Sequence, residues 1–198
     1  MLELRFSDIR AAVSGIQNEL KRINGGRWIG DFQEFYLQST LARSLALSKN
    51  CSFMLEVTDG NLSGKFPNLP MTKEPEKSGS DNQRTDIVLY QSGACIPIEV
   101  KTVWQETAWR RDLERVSNFV SWKPNVEQGW FVGFQQQRKG KAAIEANITA
   151  LRRAACELGG CYDPQPSAPE SYDSTRPDWL SQEWSGQVSI VRFGKGNP

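Results

Sequence analysis

Two hydrophobic rhythms alternate along this chain, and the switches between them mark its elements. Ile9, Val13, Ile16, Leu20 and Ile23 recur at spacings of three and four, the period of an amphipathic helix. Ser7 stands where an N-cap accepts the unpaired amides of the first turn, and Gly25-Gly26 ends the pattern near Asn24. A second helical rhythm follows Asp31 in FQEFYLQSTLARSLALSK, where Phe35, Leu37, Leu41, Leu45 and Ala46 supply the apolar face. SFMLEVTDG then reads as a strand running into a turn. Residues 61–83 are rich in Pro, Gly, Ser and Lys and read as a long loop, of the kind that in compact domains goes with function or mobility.

The stretch RTDIVLYQSGACIPIEVKT, 84 to 102, is a hairpin by the same test: two short apolar runs flank a Ser92-Gly93 turn. A helix from Glu106 to about Trp122 follows, then a strand GWFVGF and a helix AAIEANITALRRAACEL closed by Gly159-Gly160. Residues 161–187 read as Pro-, Ser- and Trp-rich irregular chain, and VSIVRF as a short last strand. This order predicts an α/β fold with a central mixed β-sheet flanked by helices. It is read as one domain over 1–198, with its core at about 30–160.

The hairpin raises a chemical question, because Asp86, Glu99 and Lys101 lie inside otherwise apolar strands. A two-residue turn pairs Gln91 with Ala94, and counting outward sets Asp86 directly across from Glu99. Directly opposed side chains have Cβ atoms about 4.5–5.5 Å apart, so the two carboxylates would repel. Alternation puts Glu99 and Lys101 on one face and sends Ile98 and Val100 to the other with Ile87, Leu89 and Ile96. Buried charges are costly unless they are paired or bind a metal, and a divalent cation with oxygen ligands would neutralise this cluster. A solvated strand face with a weak salt bridge is the competing reading. Glu34, charged beside the apolar face of the second helix, is either a further acid for this site or an exposed helical glutamate.

Composition narrows the chemistry. The 198 residues suffice for one full core, with 38% hydrophobic and 24% charged residues. Apolar runs fall far short of the ~18 residues of a membrane span, so no membrane partner is expected. MLELRFSDIR has no apolar signal core, which makes the expected location cytoplasmic. The four cysteines form no Cys-x-x-Cys pair, which fits reduced thiols and argues against zinc. The chain has no histidine, which excludes His-dependent triads, imidazole metal sites and a His general base. A net charge of +1 gives no global pull on polyanions, so nucleic-acid binding would need a local basic patch.

An acid on an early helix, then Asp, then Glu-x-Lys on the next strand, here Glu34, Asp86 and EVK at 99–101, resembles the PD-(D/E)XK nuclease superfamily with its restriction-endonuclease-like fold. Thr85 stands where the motif's name has proline. The resemblance covers the core from about 30 to 160 and rests on few residues. It implies that Asp86 and Glu99 ligate Mg²⁺, with Mn²⁺ able to substitute, and that the backbone carbonyl of Val100 is a third ligand. It further implies that Lys101 positions or deprotonates the attacking water and stabilises charge on the phosphate, and that Glu34 reaches the site through water or holds a second cation. Independently of the name, phosphodiester hydrolysis needs a Lewis acid against the phosphate and an activated water in line with the leaving oxygen.

Arg110, Arg111, Arg115 and Lys123 on the helix after Lys101 could line a phosphate track, joined by Arg138, Lys139, Lys141 and Arg152-Arg153 around the last helix. The other reading is a solvated face balanced by Glu106, Asp112 and Glu114. Trp104 and Trp109 suit either base stacking or the core. The 61–83 loop, with Lys65, Lys73 and Lys77, could close over a substrate. The expected function is therefore a Mg²⁺-dependent nuclease acting on DNA, as a homodimer or with a protein partner supplying specificity. The alternative is a non-catalytic nucleic-acid- or protein-binding module, such as an immunity protein or complex subunit, on the same fold.

Overall fold

Strand alternation builds this molecule from the middle outward. The computed structural model describes residues 2–23, 33–58, 84–102, 105–123, 125–137, 141–166, 170–173 and 183–195. In chain order the described elements are α1 (Phe6–Ile23), α2 (Glu34–Lys49), β1 (Ser52–Thr58), β2 (Arg84–Gln91), β3 (Ala94–Lys101) and α3 (Glu106–Trp122). They continue with β4 (Gln128–Gln137), α4 (Lys141–Glu157), β5 (Cys161–Tyr162), β6 (Glu170–Asp173) and β7 (Glu183–Gly194). The strands form one mixed sheet in the order β1-β2-β3-β4-β7-β5, and β6 also pairs with β7. Among the described strands β3 and β4 run parallel, and the other strand pairings are antiparallel.

The hairpin has the expected two-residue turn. Ser92 and Gly93 both take positive φ, 50° and 85°, as a type I′ turn requires, and Gln91 pairs with Ala94. The pairing runs unbroken to Ile87 opposite Ile98. Alternation then divides the core in two. Ile87, Leu89, Ile96, Ile98, Val100, Trp130, Val132 and Phe134 pack beneath α1 and α2. Val88, Cys95, Phe131, Val191 and Phe193 pack beneath α3 and α4. Both faces of the sheet are therefore covered, so the hairpin face that carries the charges is not a solvated one. Each fully buried Leu, Ile or Phe contributes about 1.5–3 kcal/mol relative to exposure.

Gly129, at the start of β4, sets how closely α3 approaches. A Cβ at Gly129 would meet Val116 Cγ1 at 2.6 Å, so the bare backbone lets α3 lie directly on β3 and β4. That approach brings the inward residues of α3 to the end of β3.

Several sequence expectations change. The apolar stripe of α2 is Leu37, Leu41, Ala42, Leu45 and Ala46, whereas Phe35 is 60% exposed. Two residues before Leu37 lies about 200° around a helix, on the far side. Ile23 is likewise exposed, at the last position of α1. Within 161–187, read as irregular, the chain forms β5, β6 and the start of β7. The last strand spans Glu183–Gly194 rather than 188–193, because β4 pairs with it continuously from Gln128–Gly194 to Gln137–Ser185. Asp31, Trp104, residues 138–140 and the 61–83 loop lie outside the described residues. None of the four cysteines is in a disulfide, and no described helix is long and apolar enough to cross a membrane.

Candidate functional site

The site lies at the open end of the hairpin, where the ladder lapses on both sides of Asp86. Between β1 and β2 the register steps from Leu55–Ile87 to Val57–Thr85, over Glu56 and Asp86. Glu56 has φ 51°, a left-handed conformation that costs a non-glycine residue on the order of 1 kcal/mol or more. Between β2 and β3 the antiparallel register ends at Ile87–Ile98, and β3 continues on β4, with Glu99 beside Phe131 and Val100 beside Val132. Val100 then donates its amide to the Asp86 carboxylate, N to Oδ2 2.7 Å. A side chain thus replaces the backbone acceptor that the hairpin no longer supplies.

Asp86 and Glu99 share the α3 side of the sheet, as the counting from the turn predicts, close enough that each shifts the other's ionisation. They sit at the ends of interior strands, not at an edge of the sheet. Burial pushes Asp86 up to about 6, against the hydrogen bond from Val100, with Glu34 adding to the rise. Glu99 is fully buried, and burial reinforced by Asp86 pushes it well above the ordinary range, with Arg115 opposing. Two acids so placed resist carrying both charges at once.

Three neighbours complete the cluster. Glu34, in the first turn of α2, accepts from Thr102 through both its amide and its hydroxyl, each at 3.0 Å. It thereby pins the end of β3. Lys101 Nζ lies 3.2 Å from Asp112 Oδ2 and 4.0 Å from Glu34 Oε1. Burial lowers the Lys101 pKa, but Asp112 and Glu34 outweigh that and raise it. Lys101 therefore stands as an ammonium, which favours stabilising negative charge over deprotonating water. Arg115 grips Glu99 with its fork, Nε on Oε1 at 2.8 Å and Nη2 on Oε2, and Nη2 also donates to Asp112 Oδ1 at 3.0 Å.

Of the expected phosphate track, Arg115 turns inward to this cluster. Arg110 lies on the exposed side, held by Glu106 at 2.9 Å and near Glu157 at 3.7 Å, and Arg111 is exposed. Lys123 is the C-cap of α3. The four do not form one stripe. Trp109 is buried in the core beneath α3. Asp112 is the site residue that sequence reasoning left among balancing charges. Its signal is phase: it falls among Trp109, Leu113 and Val116 on the buried face of α3, where an isolated charge needs partners.

The donor set allows a test for a cation. Among the described residues, Glu34, Asp86, Glu99 and Asp112 are met by Lys101 and Arg115, four acids to two cations. Among the described residues no three His, Cys, Asp or Glu side chains gather into a ready metal cage. A cation of Mg²⁺ type needs none, since it keeps several waters and uses one or two carboxylates. Asp86 and Glu99 fit that demand. No family model, curated protein or solved structure matches the chain.

Proposed function

We propose that this chain is a metal-dependent nuclease of PD-(D/E)XK type that hydrolyses phosphodiester bonds, with DNA as the expected substrate. The observation that carries the reading is the convergence of Asp86, Glu99 and Lys101 from the open end of one hairpin with Glu34 from α2. Asp86 and Glu99 would hold Mg²⁺, or Mn²⁺ in its place. The bound ion would supply a Lewis acid against the scissile phosphate. Lys101, kept charged by Asp112, would stabilise the negative charge that builds on the phosphate. Glu34 holds the β3 terminus through Thr102 and so fixes where Lys101 begins its reach.

One observation favours a second reading. Both Glu99 oxygens are already taken by Arg115, an internal pairing that a non-catalytic binding module or complex subunit would also display. Incubation with supercoiled plasmid, linear duplex, single-stranded DNA and RNA, each in Mg²⁺, Mn²⁺ or EDTA, separates the two. The nuclease reading expects cleavage that EDTA abolishes. Inertness toward all four substrates in both metals would overturn it in favour of the module.

A further inference from the structure

We propose that Arg115 is a displaceable latch on the cation site, whose guanidinium holds Glu99 until a divalent cation takes that carboxylate and then turns to a substrate phosphate. This rests on the nuclease reading above, because it assumes that Asp86 and Glu99 receive a cation.

The first argument is one of occupancy. Arg115 closes a two-point fork on Glu99, the geometry in which guanidinium and carboxylate match best. A cation and a guanidinium that both face the Asp86–Glu99 pair repel each other across a poorly screened site. Whichever binds weakens the hold of the other. The guanidinium is thus a resident competitor, charged at every accessible pH.

The second argument is that Arg115 has somewhere to go. Asp112, three residues before it on α3, accepts from the same Nη2 at 3.0 Å. Losing Glu99 therefore leaves Arg115 tethered rather than stranded. The tether also ties the latch to Lys101, because the other Asp112 oxygen lies 3.2 Å from Lys101 Nζ. The Arg115 side chain keeps 17% of its exposure whereas that of Glu99 keeps 1%, so of the two partners Arg115 is the one that reaches solvent. A released fork presents parallel N–H donors that suit two oxygens of a phosphate as well as they suit a carboxylate. Cation entry and phosphate capture then favour each other, because the first frees the group that serves the second.

Calorimetric titration of Mn²⁺ into the metal-free full chain tests the latch without any cleavage readout. Arg115→Gln should bind Mn²⁺ at least about tenfold more tightly than wild type, and Arg115→Lys, which keeps the charge but loses the fork, should fall between. Unchanged or weaker affinity in folded variants, beside measurable wild-type binding, overturns the latch and leaves the cation site standing. Absence of binding in wild type and variants alike overturns both. Should the glutamine variant fail to fold, the Arg115 Nε–H resonance of wild type decides: it should move on saturation with Mg²⁺, and an unmoved signal in a Mg²⁺-bound chain overturns the latch.

Discussion

The two ends of the β2–β3 hairpin are only a few residues apart and are built on opposite principles. Toward the turn, Gln91–Ala94 through Ile87–Ile98 pair without interruption, and Ile87, Val88, Leu89, Cys95, Ile96 and Ile98 are apolar and buried on the two faces. At the open end the ladder skips Asp86, a carboxylate takes over a backbone hydrogen bond, and four acids share two cationic partners. The turn end is where the fold is specified. The open end buries carboxyls whose ionisation their surroundings resist, although apolar replacement of buried ion pairs is often neutral or stabilising.

The sharpest break in that comparison comes from exchanging the damage. Leu89→Ala, at the fully buried turn end, should cost about 2–5 kcal/mol of stability and leave cation affinity in the folded protein unchanged. Denaturant unfolding beside a Mn²⁺ titration reads both. Lys101→Ala should do the reverse at the site: cation binding persists and cleavage falls by ~10²-fold or more. A fully active Lys101→Ala would remove lysine from the proposed chemistry.

A smaller effect concerns pH in the metal-free chain. Asp86 titrates near 6 in the fold against an ordinary value of 3.8, so the folded chain holds a proton that the unfolded chain has released. Stability present below the ordinary value is therefore lost as pH rises through 4 to 6 or so. Asp86→Asn keeps an acceptor for the Val100 amide and removes the charge. It should flatten that slope and add on the order of 2–3 kcal/mol at neutral pH, as thermal unfolding in EDTA across pH would record. Least of all, Ser92→Asn at the turn should stabilise by about 0.5 kcal/mol or less, because asparagine suits the positive φ of its position.

The same two ends explain what the sequence could reveal. Turn chemistry and strand alternation are local, so Ser92-Gly93 alone set the register and put Asp86 with Glu99 on one face. Asp112 and Arg115 reach Glu99 only because Gly129 lets α3 settle on β4, and no local pattern around Glu99 points to them. The short strands β5 and β6 owe their form to pairing with β7 rather than to their own residues, so a Pro- and Trp-rich stretch reads as irregular. Phe35 reads as core by its apolarity, although its helical phase places it outside.

The central claim, that the open end of the hairpin takes a divalent cation at Asp86 and Glu99, is tested most directly by thermal unfolding of EDTA-stripped protein as Mg²⁺ is added. A ligand bound only by the folded chain raises its melting temperature with the logarithm of its concentration once that exceeds Kd. Wild type should show a rise that continues with the logarithm of Mg²⁺ concentration, and Asp86→Asn, though more stable without metal, should show none. A wild type indifferent to Mg²⁺, or an Asp86→Asn variant that responds equally, would contradict the account.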